Sequence, residues 1–184
     1  MTKFTTVLVL FIAINLVGFT AMGQNTATND IKLGMPEVSL LNSNTELVDL
    51  TMAPQTAGLS VSTSVSDSTA RVLISSVIAD AQTRTIMAKV SAGVPAGTEL
   101  KLKALGVNSS FVGDEGSMGN EVTLSATDQA IISAIGTCYS GTSSTDGYIL
   151  KYTYALPSNE TSYELIRASA GVTVTVTLTM ISVI

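Results

Sequence analysis

The last alternating segment of the chain restricts the fold more than any other feature of the sequence. Between Gly171 and Met180, five apolar side chains alternate strictly with four threonines. Successive side chains of a β-strand point to opposite faces, so a strand separates the two sets, whereas a helix would mix them around its circumference. β-branched Val and Thr also favour strands over helices. The segment therefore predicts a strand with one face against a dry core and one face that tolerates water.

Much of the remaining chain shows the same alternation in short segments. Residues that favour turns separate these segments at a spacing of roughly ten residues, which is typical of a sandwich of short strands. The Gly93–Gly97 turn lies between two of them, so we expect 86–90 and 100–104 to form a hairpin. The chain is 46% hydrophobic but only 12% charged, which suits strands better than a solvated helical bundle. We therefore predict an all-β fold, an Ig-like antiparallel β-sandwich of about eight or nine strands.

One segment departs from this pattern and predicts a single short helix at 127–135. Thr127 is a suitable N-cap residue, and Asp128 follows it in the first turn. Apolar residues then recur from Ala130 onward, and Gly136 stands where a helix would end. The rest of the chain contains no comparable helical signal.

The first 23 residues have the organisation of a signal peptide. Lys3 supplies the positive charge, an apolar run begins at Val7, and small residues precede the expected cleavage after Gly23. Cleavage would make Gln24 the first residue of the mature protein, which we expect to be secreted or held at the cell surface. A retained membrane anchor is the alternative, although the apolar run is short for a membrane span.

Residues 24–184 are sufficient for a single β-sandwich domain with its own core. We expect residues 24–36 to be a flexible N-terminal extension of this domain. Loss of Lys3 with the signal peptide leaves eight Lys and Arg against fourteen Asp and Glu, a net charge of −6. Nucleic acids and anionic membranes both attract basic proteins. We therefore predict no nucleic-acid partner and no stable membrane insertion after signal cleavage.

Few residues are equipped for catalysis. The chain has no His, which excludes His-dependent zinc sites and the Ser–His and Cys–His nucleophile pairs. Cys138 is the only cysteine, so no intramolecular disulfide can form and the thiol has no His to activate it. We therefore predict no catalytic residues, no metal site and no cofactor, and hence a protein that is not an enzyme.

Acidic side chains in and after the loop 108–120 leave one alternative open. Their carboxylate oxygens are suitable ligands for Ca²⁺, but their spacing fits no established calcium loop, and a solvated acidic loop explains them equally well. Carboxylates from distant segments can also form the acid pair of a glycosidase. Under the enzyme hypothesis, we would test Asp114 and Glu121. The acidic residues concerned are Asp114, Glu115, Glu121 and Asp128.

A short motif points to a modification. The sequence Asp67-Ser68-Thr69 resembles the acceptor of some bacterial surface O-glycosylation systems. In that resemblance, the hydroxyl of Ser68 would carry the sugar. A plain Asp–Ser turn accounts for the same three residues.

The two ends of the chain resemble those of chaperone–usher pilins, and more generally short exported β-sandwich proteins. In pilins, a glycine fourteenth from the C-terminus precedes a strand of alternating apolar residues. Gly171 has that position here, although Val183 stands where pilins have an aromatic residue. The resemblance implies that an alternating N-terminal segment is a donor strand that completes the fold of a neighbouring subunit. The donor-strand candidates are Ile31, Leu33 and Met35.

We therefore expect a secreted, non-enzymatic structural or surface-fibre subunit whose partner is a second copy or another surface protein. The alternative is a binding module or adhesin that recognises a glycan or a surface protein through the loops 108–120 and 141–147. A sandwich with an unfilled strand position would favour fibre assembly. A complete sandwich would favour a standalone module.

Overall fold

The structure, a computed structural model, describes residues 27–44, 47–53, 56–91, 93–157, 160–169 and 171–184. The predicted signal peptide, residues 1–23, lies outside the described residues. The chain divides into two units, Met1–Met35 and Pro36–Ile184. In the first unit, the described residues 27–35 form neither helix nor strand. All of the elements below belong to the second unit.

The second unit is built almost entirely from strands, which confirms the predicted fold class. Within its described residues, the single helical element is a short 3-10 helix at Glu160–Leu165. The strands in chain order are β1 (Val38–Ser43), β2 (Ser64–Asp67), β3 (Arg71–Val77), β4 (Thr83–Val90), β5 (Glu99–Val107), β6 (Val112–Gly113), β7 (Ser117–Met118), β8 (Val122–Thr123), β9 (Gln129–Ile135), β10 (Cys138–Tyr139), β11 (Tyr148–Ala155) and β12 (Val176–Val183).

The larger of two sheets contains β1, β2, β3, β5, β6, β8, β10 and β11, all paired antiparallel. β3 lies between β1 on one side and both β10 and β11 on the other. β11 pairs in turn with β5, and β5 pairs with β8. β2 continues the line of β3 along β11, and β6 continues the line of β5 along β10. Several short strands are therefore segments of longer strand lines that are interrupted by local insertions.

The smaller sheet contains β12, β4, β9 and β7 in that order, and its pairings are also antiparallel. Buried side chains from both sheets form one hydrophobic cluster. Two sheets that share a core in this way are packed face to face, as in a β-sandwich. The architecture predicted from the alternating segments is thus confirmed.

Alternating burial along the strands produces this core. In β3 and in most of β5, buried side chains alternate with more exposed ones. Ile86 and Leu102 are completely buried, and burial of such a side chain stabilises the fold by roughly 1.5–3 kcal/mol. Tyr148 is also completely buried, with its ring 5.2 Å from the ring of Phe111. Its hydroxyl donates to the backbone carbonyl of Glu115 at 2.8 Å, so burial leaves this polar group satisfied.

The predicted helix at 127–135 is wrong, because this segment contains strand β9. β9 pairs with β4 through two irregularities, one on each side of Ile86. A bulge interrupts the regular alternation of a strand, and Ile131, Ile132 and Ile135 are all buried. Their spacing imitates the apolar face of a helix, although the segment belongs to a sheet.

The predicted hairpin of 86–90 with 100–104 is also wrong. Both segments lie in strands, but β4 belongs to the smaller sheet and β5 to the larger one. The turn between them forms as expected, and the backbone N–H of Thr98 donates to the carbonyl of Pro95 at 3.1 Å. This turn carries the chain from one sheet to the other rather than folding it back on its neighbour.

The C-terminal alternation forms β12, but the strand begins at Val176 rather than close to Gly171. Val176, Leu178 and Met180 pack against the core, while the threonines between them are exposed. β12 lies at the edge of the smaller sheet and pairs with β4. The segment that most restricts the fold therefore occupies a border of the sandwich rather than its centre.

Candidate functional site

Two neighbouring strands of the sandwich have a free edge. β1 pairs with β3 at the border of the larger sheet, and β12 pairs with β4 at the border of the smaller sheet. Among the described residues, no further strand pairs with either of them. β1 and β12 come into contact where the two sheets meet. Unpaired backbone N–H and C=O groups along such edges are a template for an additional strand.

Burial falls sharply toward this side of the molecule. Ile86 in β4 is completely buried, but its ladder partner Met180 in β12 is only half-buried. Likewise, Ile74 in β3 is buried, whereas its partner Leu41 in β1 is half-buried. Core side chains are thus buried in β3 and β4 but only half-buried in the adjacent edge strands β1 and β12. The sandwich is incompletely covered between β1 and β12.

A groove of about 210 Å³ lies at this opening, and we call it the β1–β12 groove. Burial raises the pKa of Tyr152 to about 12, so its phenol is neutral at physiological pH. None of the side chains that line the groove is charged, which suits an uncharged occupant. The lining residues are Leu41, Asn42, Ser43, Tyr152, Val176 and Leu178.

A buried arginine joins the two edge strands at one end. Arg84, in β4, is only 3% exposed. Its guanidinium donates to the hydroxyl of Ser182 at 2.6 Å and to the backbone carbonyl of Val77 at 3.2 Å. It also lies 3.5 Å from the carboxylate of Glu37. Because Glu37 precedes β1 and Ser182 lies in β12, Arg84 connects the two borders of the open side through charge-assisted hydrogen bonds.

The three donor-strand candidates are exposed. In the first unit, Ile31, Leu33 and Met35 expose 79%, 88% and 79% of their surface. They lie outside any strand or helix. Large apolar side chains exposed at alternate positions of one short segment form the kind of surface that marks an interaction site.

The loops 108–120 and 141–147, the candidate binding loops of the alternative hypothesis, are joined by hydrogen bonds. The carboxylate of Asp146 accepts from the hydroxyl of Ser110 at 2.7 Å and from the amide of Asn108 at 2.8 Å. These bonds, that of Ser110 first, hold the pKa of Asp146 below its ordinary value. Polar groups that already have partners within the protein are less available to a ligand. The arrangement stabilises the crossing of the two loops.

Two glycines permit this tight crossing. A Cβ atom at Gly141 would lie 2.3 Å from the carboxylate of Asp146, and one at Gly147 would lie 2.1 Å from the carbonyl oxygen of Val72. Both glycines also have positive φ values, +88° and +92°, which L-residues rarely adopt. Gly141 and Gly147 therefore mark places where backbone and side chains pack closely.

Two of the acidic residues considered for metal binding or catalysis have separate partners. One carboxylate oxygen of Asp114 accepts from the backbone N–H of Gly116 at 3.0 Å. The carboxylate of Asp128 lies 3.1 Å from the ammonium group of Lys89, in the smaller sheet. Across the part of the chain that the structure describes, no three His, Cys, Asp or Glu side chains gather as a metal site would require. The full set of acidic candidates was Asp114, Glu115, Glu121 and Asp128.

Cys138 is buried in β10. Burial raises the pKa of its thiol to about 11, and the negative charge of Asp114 adds to the effect. A thiol that remains protonated at physiological pH is a weak nucleophile. This cysteine therefore acts as a small core residue.

Ser68, the candidate for O-glycosylation, is exposed between β2 and β3. The carboxylate of Asp67 accepts from the hydroxyl of Thr69 at 2.6 Å and from its backbone N–H at 2.8 Å. These two bonds, in that order, lower the pKa of Asp67. The motif therefore forms a local turn, as the plainer interpretation predicts. The hydroxyl of Ser68 takes no part in these two bonds.

Neither the groove nor the role of Arg84 is evident from the sequence. Alternation indicates which face of a strand is apolar, but not that the strands near residues 40 and 180 border the same opening. A signal for Arg84 is present, because it stands two residues before Ile86 on the apolar face of a strand. A charged residue at such a position is expected to be buried and to have polar partners.

Comparison with known proteins finds no matching family model, no similar curated protein and no similar solved structure. No helix in the described ranges of the chain has the length and apolar character needed to cross a membrane. The function must therefore be inferred from the residues and the geometry of this chain.

Proposed function

We propose that this protein is a secreted, non-enzymatic structural subunit that assembles into a fibre or matrix at the cell surface. In the assembly, residues 30–35 of one copy insert into the β1–β12 groove of the next. The observation that carries the proposal is the open side of the sandwich, where two strand edges that pair with no further strand in the described ranges border an uncharged groove. Strand addition at such an edge is a general mode of peptide recognition.

The donor segment and the groove have matching periods. In an extended strand, Ile31, Leu33 and Met35 would point to one face at intervals of about 6.6–6.8 Å. The half-buried residues Val176 and Leu178 of β12 repeat at the same two-residue interval. In a donor strand beside β12, an apolar donor side chain would therefore lie next to Val176 and another next to Leu178.

Burial of the apolar side chains alone does not supply enough free energy to bind the donor segment in the groove. Three apolar side chains contribute roughly 5–9 kcal/mol at about 1.5–3 kcal/mol each. Ordering a six-residue segment costs roughly 6–12 kcal/mol at about 1–2 kcal/mol per residue. Ladder hydrogen bonds, at about 0.5–1.5 kcal/mol each, supply the difference. Affinity therefore depends on pairing with a free strand edge as well as on the apolar side chains.

Analytical ultracentrifugation of the protein of residues 24–184 tests whether residues 30–35 act as the donor strand. The molecular mass is measured over a wide range of protein concentration. We expect oligomers that grow with concentration. The double variant Ile31→Asp with Leu33→Asp should remain monomeric, because buried carboxylates are unfavourable in an uncharged groove. Lys32→Asp is the matched control, since its side chain would point away from the groove, and it should still assemble. A wild-type protein that stays monomeric at the highest concentration would refute the proposal.

A mixing experiment tests the acceptor. Leu178→Asp should disable the groove and leave the donor segment intact, whereas the donor double variant keeps an intact groove. Each variant alone should be monomeric, and an equimolar mixture should form one-to-one dimers. Leu41→Asp, in β1, provides a second acceptor variant if Leu178→Asp does not fold. Non-specific hydrophobic aggregation would not show this complementation, so its absence in a mixture of folded variants would count against strand exchange.

A further inference from the structure

Basic side chains gather on the outer face of the larger sheet, which points away from the core. Leu100 and Leu102 of β5 are buried, so Lys101 and Lys103 point outward. Lys151 of β11 is the direct ladder partner of Lys103, and direct partners point to the same face. Three lysines on two adjacent strands therefore share this face.

The pairing of Lys103 with Lys151 is unfavourable in the isolated protein. Side chains at directly opposite positions have Cβ atoms about 4.5–5.5 Å apart, and like charges there destabilise a sheet. Lys101 has a partner of its own, since its ammonium lies 2.7 Å from the carboxylate of Glu99. Within the described residues, neither Lys103 nor Lys151 forms a salt bridge. The carboxylates of Glu99 and Glu121 act on Lys101, so Lys103 and Lys151 are the two ammonium groups of this face that are open to an external anion.

Hydroxyl groups accompany the lysines. Ser66 of β2, Thr153 of β11, Lys101 of β5 and Thr123 of β8 are successive ladder partners and form one row across four strands. At about 4.8 Å between strands, the row is roughly 14 Å long. Ser66 and Thr123 are exposed. The hydroxyl oxygen of Thr153 is covered, so the hydroxyls of the row that an external ligand can reach are those of Ser66 and Thr123. The hydroxyl of Thr123 lies 3.5 Å from the carboxylate of Glu99.

We propose that this surface, the lysine–hydroxyl face, binds an acidic polysaccharide. A sugar carboxylate would neutralise the opposed ammonium groups, and sugar hydroxyls would pair with the exposed hydroxyls of Ser66 and Thr123. An acidic peptide would use the lysines but would leave those hydroxyls unmatched, so the combination favours a ligand rich in both carboxylates and hydroxyls. The face comprises Ser66, Lys101, Lys103, Thr123 and Lys151.

This binding is separate from assembly through the β1–β12 groove. The lysine–hydroxyl face belongs to the outer surfaces of β2, β5, β8 and β11, whereas the edges that border the groove belong to β1 and β12. An assembled protein would carry the face on every copy, so a repeating polymer could engage many copies at once. The donor double variant should bind the polysaccharide as a monomer, which distinguishes failure of this proposal from failure of assembly.

The probe is polygalacturonate, a regular polymer of acidic sugars, with neutral dextran for comparison. Affinity electrophoresis of the monomeric donor variant should show retardation by polygalacturonate and none by dextran. Retardation should decrease with added salt, because charge interactions at a surface are screened over about 10 Å at 0.1 M. In that background, Lys103→Glu should weaken binding about tenfold, which corresponds to about 1.4 kcal/mol. Lys103→Arg should bind as the parent does.

Two substitutions separate this site from simpler explanations. Lys89→Glu makes the same change in net charge on the smaller sheet and should leave binding unchanged; an equal loss would mean that only overall charge matters and would overturn the site. Ser66→Ala removes one exposed hydroxyl and no charge, and it should weaken binding a few-fold.

Competition experiments identify the class of ligand. Polyglutamate and vesicles that contain phosphatidylglycerol are the competing probes, because they supply negative charge without sugar hydroxyls. If either binds as tightly as polygalacturonate, the partner is an acidic protein or a membrane, and the assignment to a polysaccharide is wrong. Absence of any binding to polygalacturonate at low salt would refute the site itself.

Discussion

Replacement of Ala134 by glycine is a direct test of strand β9, where the sequence predicted a helix. Ala134 has a φ of 56°, in the left-handed region that is unfavourable for a residue with a Cβ atom. Its side chain is exposed, so removal of the methyl group costs no core contact. In a helix at 127–135, the same change would instead replace the best helix-forming residue by one of the worst.

The two conformations predict opposite signs for the change in stability. The left-handed conformation costs an L-residue about 1–2 kcal/mol, and glycine avoids most of this cost. Glycine also gives the unfolded chain more freedom, which destabilises the folded state by roughly 0.5–1 kcal/mol. The net expectation for the observed strand is a stabilisation of about 0.5–1 kcal/mol. A helix would be destabilised by about 1 kcal/mol.

Urea unfolding of the monomeric donor variant measures this difference without a contribution from self-association. Ala130→Gly is the matched control, because Ala130 is also an exposed alanine of β9 but is not among the residues with positive φ. It should lose roughly 0.5–1 kcal/mol. If both glycine variants lose stability to the same extent, the left-handed geometry assigned to Ala134 is incorrect.

Three further expectations concern the core, the crossing loops and the thiol. Ile86→Ala should cost about 2–5 kcal/mol in urea unfolding because Ile86 is completely buried, and Met180→Ala at the open border should cost clearly less; equal losses would contradict the incomplete cover. The Asp146 carboxylate has its pKa below the ordinary value of 3.8, so its contribution to stability is complete above that pH and is lost as the pH falls through the lowered pKa. Asp146→Asn should therefore weaken the acid dependence of the unfolding midpoint, and an unaltered pH profile would contradict the network. With its pKa near 11, Cys138 should resist thiol reagents at mildly alkaline pH until the protein unfolds; rapid labelling of the native protein would show that the thiol is accessible.

Local alternation was a reliable guide in the parts of a strand where the pairing register is regular. Leu100 and Leu102 are buried and Lys103 is exposed, as the pattern in that segment predicts. The C-terminal threonines are likewise exposed in β12. In both segments a side chain's environment depends mainly on its position within a single strand, which the sequence displays directly.

The pattern misled where the register changes within a strand. Between Gln129 and Ile135, two irregularities in the pairing with β4 bring neighbouring isoleucines to buried positions. A bulge of this kind is a property of two paired strands, so one segment read alone cannot reveal it. The helical spacing at 127–135 was therefore a consequence of tertiary pairing.

Both candidate surfaces depend on pairings between distant segments. The sequence shows that Lys103 and Lys151 each lie opposite an apolar face, but not that β5 and β11 are neighbours. It shows apolar residues at 38–41 and an alternating segment at 176–183, but not that the two segments flank one groove. Turn residues do not reveal which strands pair with each other either, since the turn at Gly93–Gly97 joins strands of different sheets.

The position of β1 and β12 also determines when the molecule can finish folding. These are the first and last strands of the unit, and Arg84 bonds to Ser182, which is 98 positions later in the chain. During synthesis, β4 would remain the outermost strand of its sheet, with the apolar row of Ile86 uncovered, until the segment from Val176 onward emerges. Contacts over such separations form late and slowly. The newly made chain is therefore expected to remain incompletely folded until strand β12 is available to pair with β4.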